Sequence, residues 1–168
     1  NVNQHMEAYD LNRVIPELLG FIEDLNNWYI RRSRRRFWRS AESEEARIDK
    51  AAAYATLHEV LLTFGKLMAP VLPFFSESLY QNLAVQPGAH EEGKDSIHLC
   101  DFPEADEALI DADLQKQVDW TRETVAMGRA LREKHRIKIR QPLSKVTIVH
   151  HDPEVRACLE RQSELISG

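Results

Sequence analysis

The sequence has 168 residues, and 22 lysines and arginines against 27 aspartates and glutamates give it a formal charge of −5. Its apolar content of 43% excludes a wholly disordered chain, and no uninterrupted apolar run is long enough to cross a membrane. Cys100 and Cys158 form no Cys-x-x-Cys pair, which disfavours a thiolate zinc site and a disulfide framework. With no signal-peptide pattern at the N-terminus, these features predict a cytoplasmic globular protein without a membrane partner.

Apolar residues that recur three and four positions apart predict a mainly helical fold. The first such stripe starts after Asp10, a suitable N-cap, and continues into an arginine-rich segment. Pro16 lies near the first turns of this helix, where its missing N–H costs least. The predicted helices cover about residues 11–39, 44–68, 75–83, 113–135 and 154–166.

The C-terminal part of the chain departs from this helical pattern. Val146 and Ile148 are typical of a short β-strand, and a lone strand needs a partner. We expect that partner after Gly168 or in an upstream half-hairpin. We therefore predict an antiparallel helical bundle over residues 1–135 and the start of a small, truncated α+β element over residues 136–168.

The charge is distributed very unevenly along the chain. Six arginines and no acid lie between positions 31 and 39, and the rest of the chain carries 16 basic and 27 acidic residues, a net charge of −11. One interpretation is a solvated helix end, where cations are favoured by the helix dipole. The other is phosphate binding, because such density repels itself without an anion and the planar guanidinium fork matches phosphate oxygens.

Helical geometry divides the arginines into two groups. If the first helix continues at 100° per residue, Arg36 points along the inward direction of the core stripe and Arg32 lies within about 50° of it. We predict that these two make structural ion pairs. The outward residues, named here the outward ridge, are Arg31, Arg34, Arg35 and Trp38. We predict that the ridge binds the phosphates of a nucleic acid, with the tryptophan able to stack on an exposed base.

A second basic segment lies between positions 129 and 140, where Glu133 is the only acid. Its cations suit either a phosphate-binding surface or a helix end followed by an edge strand that is protected by charge. Two basic segments separated by an acidic region favour a polyanion that is bound on selected surfaces. The phosphate-binding residues predicted here are Arg132, Arg136, Lys138 and Arg140.

The sequence contains no recognisable catalytic set. It lacks a Ser/His/Asp or Cys/His arrangement, a Walker loop and a glycine-rich dinucleotide turn. His150 and His151 are adjacent, so on a strand they would face opposite ways and could not chelate a metal together. We therefore predict no catalytic residue, no metal site and no cofactor within this chain.

Several segments resemble a known family. The strings YDLNR at 9–13 and NWYIRRSRRRFW at 27–38, and the element IKIRQPL at 137–143, are similar to the helical anticodon-binding region of isoleucyl-tRNA synthetases. LMAPVLPF at 67–74 and SIHL at 96–99 resemble elements shared with other class I synthetases. These segments occur in the family's order and extend over most of the chain.

The resemblance implies a fold and a function. The fold is the class I anticodon-binding helical bundle, and the parent is a monomeric ATP-dependent ligase that charges tRNA(Ile) with isoleucine. The nucleic acid bound by the outward ridge and by the second basic segment would then be RNA. The family's His-x-Gly-His and Lys-Met-Ser-Lys-Ser motifs are missing, so ATP and Mg would belong to a catalytic domain elsewhere in the same chain. An alternative is a structural docking module of a valyl-, leucyl- or other class I synthetase.

Overall fold

The computed structural model describes residues 2–40 and 42–167, and the described residues are mainly helical. The predicted helical class is confirmed. The chain divides into two compact units, Asn1–Glu104 and Ala105–Gly168. The domain division predicted from the sequence, 1–135 and 136–168, has a different boundary and stays a prediction.

The first unit opens with a short helix α1 (Val2–Glu7) and a long helical rod. The rod consists of α2 (Leu11–Asp24), a π-helical segment (Leu25–Ile30) and α3 (Arg31–Trp38), with helical backbone angles at each junction. Because a π-helical segment holds more residues per turn than an α-helix, it rotates α3 relative to α2. The predicted continuation of the first helix into the arginine segment is therefore correct, but its phase changes on the way.

The rod packs on α4 (Glu44–Met68), which is the longest helix that the structure describes. Ser43 caps α4, since its hydroxyl accepts a hydrogen bond from the Ala46 backbone N–H at 3.2 Å, and two glutamates occupy the first turn. Pro73 then starts α5 (Pro73–Tyr80), which continues as a π-helical segment (Gln81–Val85). Two small cores form in this unit. Their buried residues are Val14, Leu18, Phe64 and Met68 in one, and Ala69, Tyr80, Ala84 and Ile97 in the other.

Glu77 ties the loop before the 3₁₀ turn Ile97–Leu99 to α5. Its carboxylate accepts hydrogen bonds from the Ser96 hydroxyl at 2.8 Å, the Ile97 backbone N–H at 3.0 Å and the Gln81 amide at 2.9 Å. Burial opposes ionisation of this group, but the hydrogen bonds together outweigh burial and lower the pKa of Glu77. These hydrogen bonds of Glu77 hold the loop against α5.

The second unit consists of α6 (Ala112–Lys134), α7 (Pro153–Arg161) and α8 (Ser163–Ser167). Asp111 and Asp152 cap the first two of these helices through their carboxylates. The buried Cys158 thiol of α7 contacts the Gln117 carbonyl of α6 at 3.8 Å, so the two helices pack directly. This contact makes Cys158 a packing residue of the second unit.

The predicted short strand is not present. Val146 and Ile148 lie in a segment without regular structure, and no residue that the structure describes belongs to a strand. A single extended segment cannot satisfy its backbone hydrogen-bonding groups without a partner strand, and none lies beside it in the second unit. The prediction of a small α+β element is therefore replaced by two short helices that follow an irregular segment.

Candidate nucleic-acid interface

The inward face of α3 docks on α4 through buried and aromatic side chains. Ser33 is buried at the centre of this face. On one side of it, the Tyr29 hydroxyl donates a hydrogen bond to the Ala53 carbonyl of α4 at 2.9 Å. On the other, the ring of Phe37 lies 5.0 Å from that of Tyr54, measured between centroids. The arginine segment is therefore anchored on a folded scaffold.

Arg36 reinforces this docking with an ion pair. Its Nε and Nη2 atoms lie 2.9 and 2.8 Å from Asp49 Oδ1, and Nη2 also donates to the Asp49 backbone carbonyl at 3.1 Å. Arg39 donates to the other carboxylate oxygen of Asp49 at 3.1 Å. The hydrogen bond from Arg36 lowers the pKa of Asp49, and the same bond raises the pKa of Arg36. Arg36 therefore contacts α4 through Asp49, and its structural role stays a prediction.

Arg32 does not occupy the predicted inward position. With Ser33 as the inward residue, Arg32 lies about 100° away around the helix, and its side chain is exposed. Its guanidinium lies 5.6 Å from the centroid of the Trp28 ring, within the range of a cation–π contact. The π-helical segment accounts for the shift, because the sequence-based wheel assumed an uninterrupted α-helix. A structural ion-pair role for Arg32 stays a prediction.

The outward ridge lies on α3 away from its buried residue Ser33. Measured from Ser33, its four residues lie about 100° to 160° around the helix, and all four side chains are exposed, with Trp38 at 80% exposure. Within the described residues, the guanidinium groups of its three arginines make no ion pair or hydrogen bond to the protein. The ridge therefore presents three donor-rich cations and an indole ring to solvent.

The second basic segment is built differently. Arg132, near the end of α6, donates hydrogen bonds from Nη1 to the carbonyls of Lys138 at 3.1 Å and Gln141 at 2.9 Å. Arg136 has a backbone φ of +54°, and its side chain is exposed together with those of Lys138 and Arg140. Three of the four cations predicted here therefore face solvent, and the fourth contacts the protein's own backbone.

Sequence reasoning missed Asp49 and the role of Arg39. Nothing in a single sequence pairs Asp49 with the arginine segment, because the contact depends on how α4 lies against α3. A weak signal was available, since Asp49 is in the early turns of a helix that directly follows the segment. Short connections favour antiparallel packing of neighbouring helices.

This scaffold matches a known domain family. Residues 1–148 fit the family model described as the anticodon-binding domain of tRNA ligase. The chain belongs to this family.

Individual relatives indicate which tRNA ligases the chain is similar to. The isoleucine–tRNA ligase of Chlamydia muridarum is 48% identical over 146 residues, which is 87% of this chain and 13% of the relative. The isoleucine–tRNA ligase of Treponema denticola is 42% identical over 166 residues, or 99% of this chain and 14% of the relative. The resemblance to the isoleucyl enzymes is thereby confirmed, and this anticodon-binding chain spans 13–14% of the length of these relatives.

Among residues 2–40 and 42–167, no group of three or more His, Cys, Asp or Glu side chains is placed to hold a metal ion. None of the helices described in these ranges is both long and apolar enough to cross a membrane.

Proposed function

We propose that this chain is the tRNA-binding part of an isoleucine–tRNA ligase, which charges tRNA(Ile) with isoleucine using ATP. The observation that carries the proposal is the outward ridge on α3, within a domain of the anticodon-binding family. The names of the relatives support isoleucine as the amino acid.

The ridge suits the phosphate backbone of an RNA arm. A-form RNA is recognised mainly through its shape, its phosphates and its 2′-hydroxyls, and arginine forks bind phosphate oxygens with two parallel hydrogen bonds. Trp38 adds an exposed ring on which an unpaired base of the anticodon loop can stack. Docking of the opposite helix face on α4 holds these groups in a fixed spacing, which reduces the ordering cost of binding.

The remaining functions belong to other parts of the parent protein. ATP and Mg would bind in a catalytic domain of the same polypeptide, and this chain would hold the anticodon arm while the reaction occurs there. Its partners are then tRNA(Ile) and that catalytic domain, in a cytoplasmic and monomeric enzyme. The division into a helical anticodon-binding bundle over residues 1–135 and the start of a junction element over residues 136–168 stays a proposal.

Removal of the ridge tests the proposal. Titration of a fluorescent tRNA transcript with an isoleucine anticodon at several salt concentrations gives the affinity and its salt dependence. For the triple variant Arg31→Ala, Arg34→Ala and Arg35→Ala, we expect an affinity loss of about 100-fold at 0.1 M salt. The slope of log K against log salt should fall by about two to three, because three phosphate contacts disappear.

A charge-matched variant controls for the loss of net charge. The triple variant Arg13→Ala, Arg47→Ala and Lys66→Ala removes three cations from other parts of the first unit. It should keep most of the affinity and nearly the full salt slope. Equal losses in the two triple variants would contradict a specific role of the ridge.

The docking-module alternative gives a different result. The arginines of the ridge would then pair with acids of the catalytic portion rather than with RNA. In that case the ridge variant would bind the tRNA transcript as well as the unchanged chain does. It would also fail to associate with the separately expressed catalytic portion.

A further inference from the structure

The C-terminal end of α6 carries an arginine in a backbone conformation that favours glycine. The Ile137 N–H donates to the Arg132 carbonyl at 2.8 Å and the Arg136 N–H donates to the Glu133 carbonyl at 3.0 Å. This pair of bonds is the Schellman motif, and its left-handed position is occupied by Arg136, with φ at +54°. Glycine adopts this conformation without the steric penalty that a Cβ atom brings.

Arg132 organises the turn that follows. Its Nη1 atom donates to the carbonyls of Lys138 and Gln141, and the Gln141 N–H donates to the Lys138 carbonyl at 2.9 Å. Arg132 is half-buried, whereas the cationic side chains of the turn are exposed. Its guanidinium therefore closes the turn by binding main-chain oxygens, and this contact leaves fewer of its donors for a ligand.

We propose that residues 132–141 form a second phosphate-binding element for tRNA, in which Arg132 is a positioning residue and Arg136, Lys138 and Arg140 bind the phosphates. This inference rests on the proposed tRNA-binding function. The left-handed backbone at Arg136 directs the chain out of α6 and into the turn. The three exposed cations lie within five residues of one another in the sequence.

The identity of residue 136 supports binding rather than folding. A glycine at this position would satisfy the same backbone hydrogen bonds with less strain. A favourable interaction with the helix dipole does not require this arginine, because Arg132 and Lys134 already lie in the last turn of α6. The arginine therefore destabilises the folded chain relative to glycine, and binding of an anion by its side chain accounts for its presence at this position.

Replacement of Arg136 by glycine separates stability from binding. In the 168-residue chain, Arg136→Gly should raise the Tm by about 2–4 °C, because it relieves the left-handed strain. The same change should weaken binding of the isoleucine-anticodon tRNA transcript about three- to tenfold and lower the salt slope by about 0.7–0.9. Lys116→Ala is the matched control, since it removes a cation about 27 Å away along α6 and should leave the slope unchanged.

Replacement of Arg132 tests the positioning role. Arg132→Ala should speed hydrogen exchange of the Gln141 amide and lower the salt slope by more than one, because the released turn weakens the contacts of both Lys138 and Arg140. Arg132→Lys retains one charged donor and should restore part of the slope. A purely structural role would speed the amide exchange but leave the salt slope at its original value, and this result would overturn the proposal for Arg132.

The outcomes for the inference and for the proposed function are distinct. If Arg136→Gly binds tRNA with unchanged affinity and slope while the ridge variant loses binding, the inference fails and the proposed function stands. If the unchanged chain does not bind the tRNA transcript at all, both fail. A lower Tm for Arg136→Gly would overturn the assignment of strain at this position.

Discussion

The two basic segments both carry clustered positive charge but are built by different means. Residues 31–38 form a helix whose inward face is fixed by aromatic packing and by the ion pair between Arg36 and Asp49. Residues 132–141 form a helix end and a turn that are fixed by hydrogen bonds to main-chain carbonyls. In the first segment a carboxylate holds the scaffold, whereas in the second an arginine of the segment itself does so.

This difference teaches how a cationic surface can be held together despite its own repulsion. Residues on different faces of a helix have different surroundings, so Arg36 is partly buried against α4 while Arg34 is exposed. A turn offers no such periodicity, and one cation must bind backbone oxygens in order to position the others. Changes in α4 should therefore affect the first segment, and changes at Arg132 should affect the second.

The largest effect should come from overpacking beneath α3. Ala53 is fully buried on α4 and its carbonyl accepts the Tyr29 hydroxyl. We expect Ala53→Leu to lower the free energy of unfolding by about 2–3 kcal/mol and to weaken tRNA binding, because the longer side chain displaces α3. Ala52→Leu on the exposed side of α4 is the control, with a change within about 0.5 kcal/mol in urea denaturation. Similar losses in both variants would show that α3 does not depend on close contact at Ala53.

A smaller effect should follow from removal of one hydroxyl. Tyr29→Phe deletes the hydrogen bond to the Ala53 carbonyl and should cost about 1 kcal/mol in the free energy of unfolding, with little change in ring packing. Tyr54→Phe is the matched control, since no hydrogen bond of the Tyr54 hydroxyl is found in the described residues. If Tyr29→Phe were as stable as the unchanged chain, this hydrogen bond would not stabilise the docking on α4.

The smallest effect should be a dependence on acid that distinguishes the two segments. Because the pKa of Asp49 is lowered in the folded chain, its contribution to stability is present above its ordinary pKa of about 3.9 and is lost as the pH falls through the folded value. Asp49→Asn should therefore lower the Tm at pH 7, and the difference from the unchanged chain should shrink towards pH 2–3. A difference that does not vary with pH would contradict this role.

The second segment should not depend on the ionisation of Asp49. The bonds from Arg132 to two carbonyls do not involve a carboxylate, so protonation of acids does not remove them. Exchange of the Gln141 amide, followed in native conditions, should therefore respond to Arg132→Ala and not to Asp49→Asn. A response to both variants would erase the distinction between the two segments.

Sequence reasoning succeeded where a regular period was present. The helical stripes predicted the long helices that the structure contains. The wheel also separated Arg36, which contacts Asp49, from the exposed ridge, whose role in binding stays a prediction. The wheel put Arg32 closer to the inward direction than the structure does. The π-helical segment changes the rotation of α3 about its axis, and no local residue pattern predicts that segment.

The remaining errors concern non-local or turn geometry. Alternating apolar residues near Val146 predicted a strand, but a strand forms only with a partner, and sequence alone does not supply one. The contact of Arg132 with carbonyls six and nine residues later depends on the left-handed residue at position 136, where an arginine gives no signal of a turn. The ion pair with Asp49 required the packing of two helices.

The central claim is that the two faces of α3 have separate functions, and a pair of single substitutions tests it most directly. Arg34→Ala and Arg36→Ala are compared by the slope of log K against log salt for the tRNA transcript and by Tm. We predict that Arg34→Ala lowers the slope by about 0.7–0.9 at unchanged Tm, whereas Arg36→Ala lowers the Tm at a nearly unchanged slope. Equal slopes in the two variants, or the reverse order, would contradict the division between the faces.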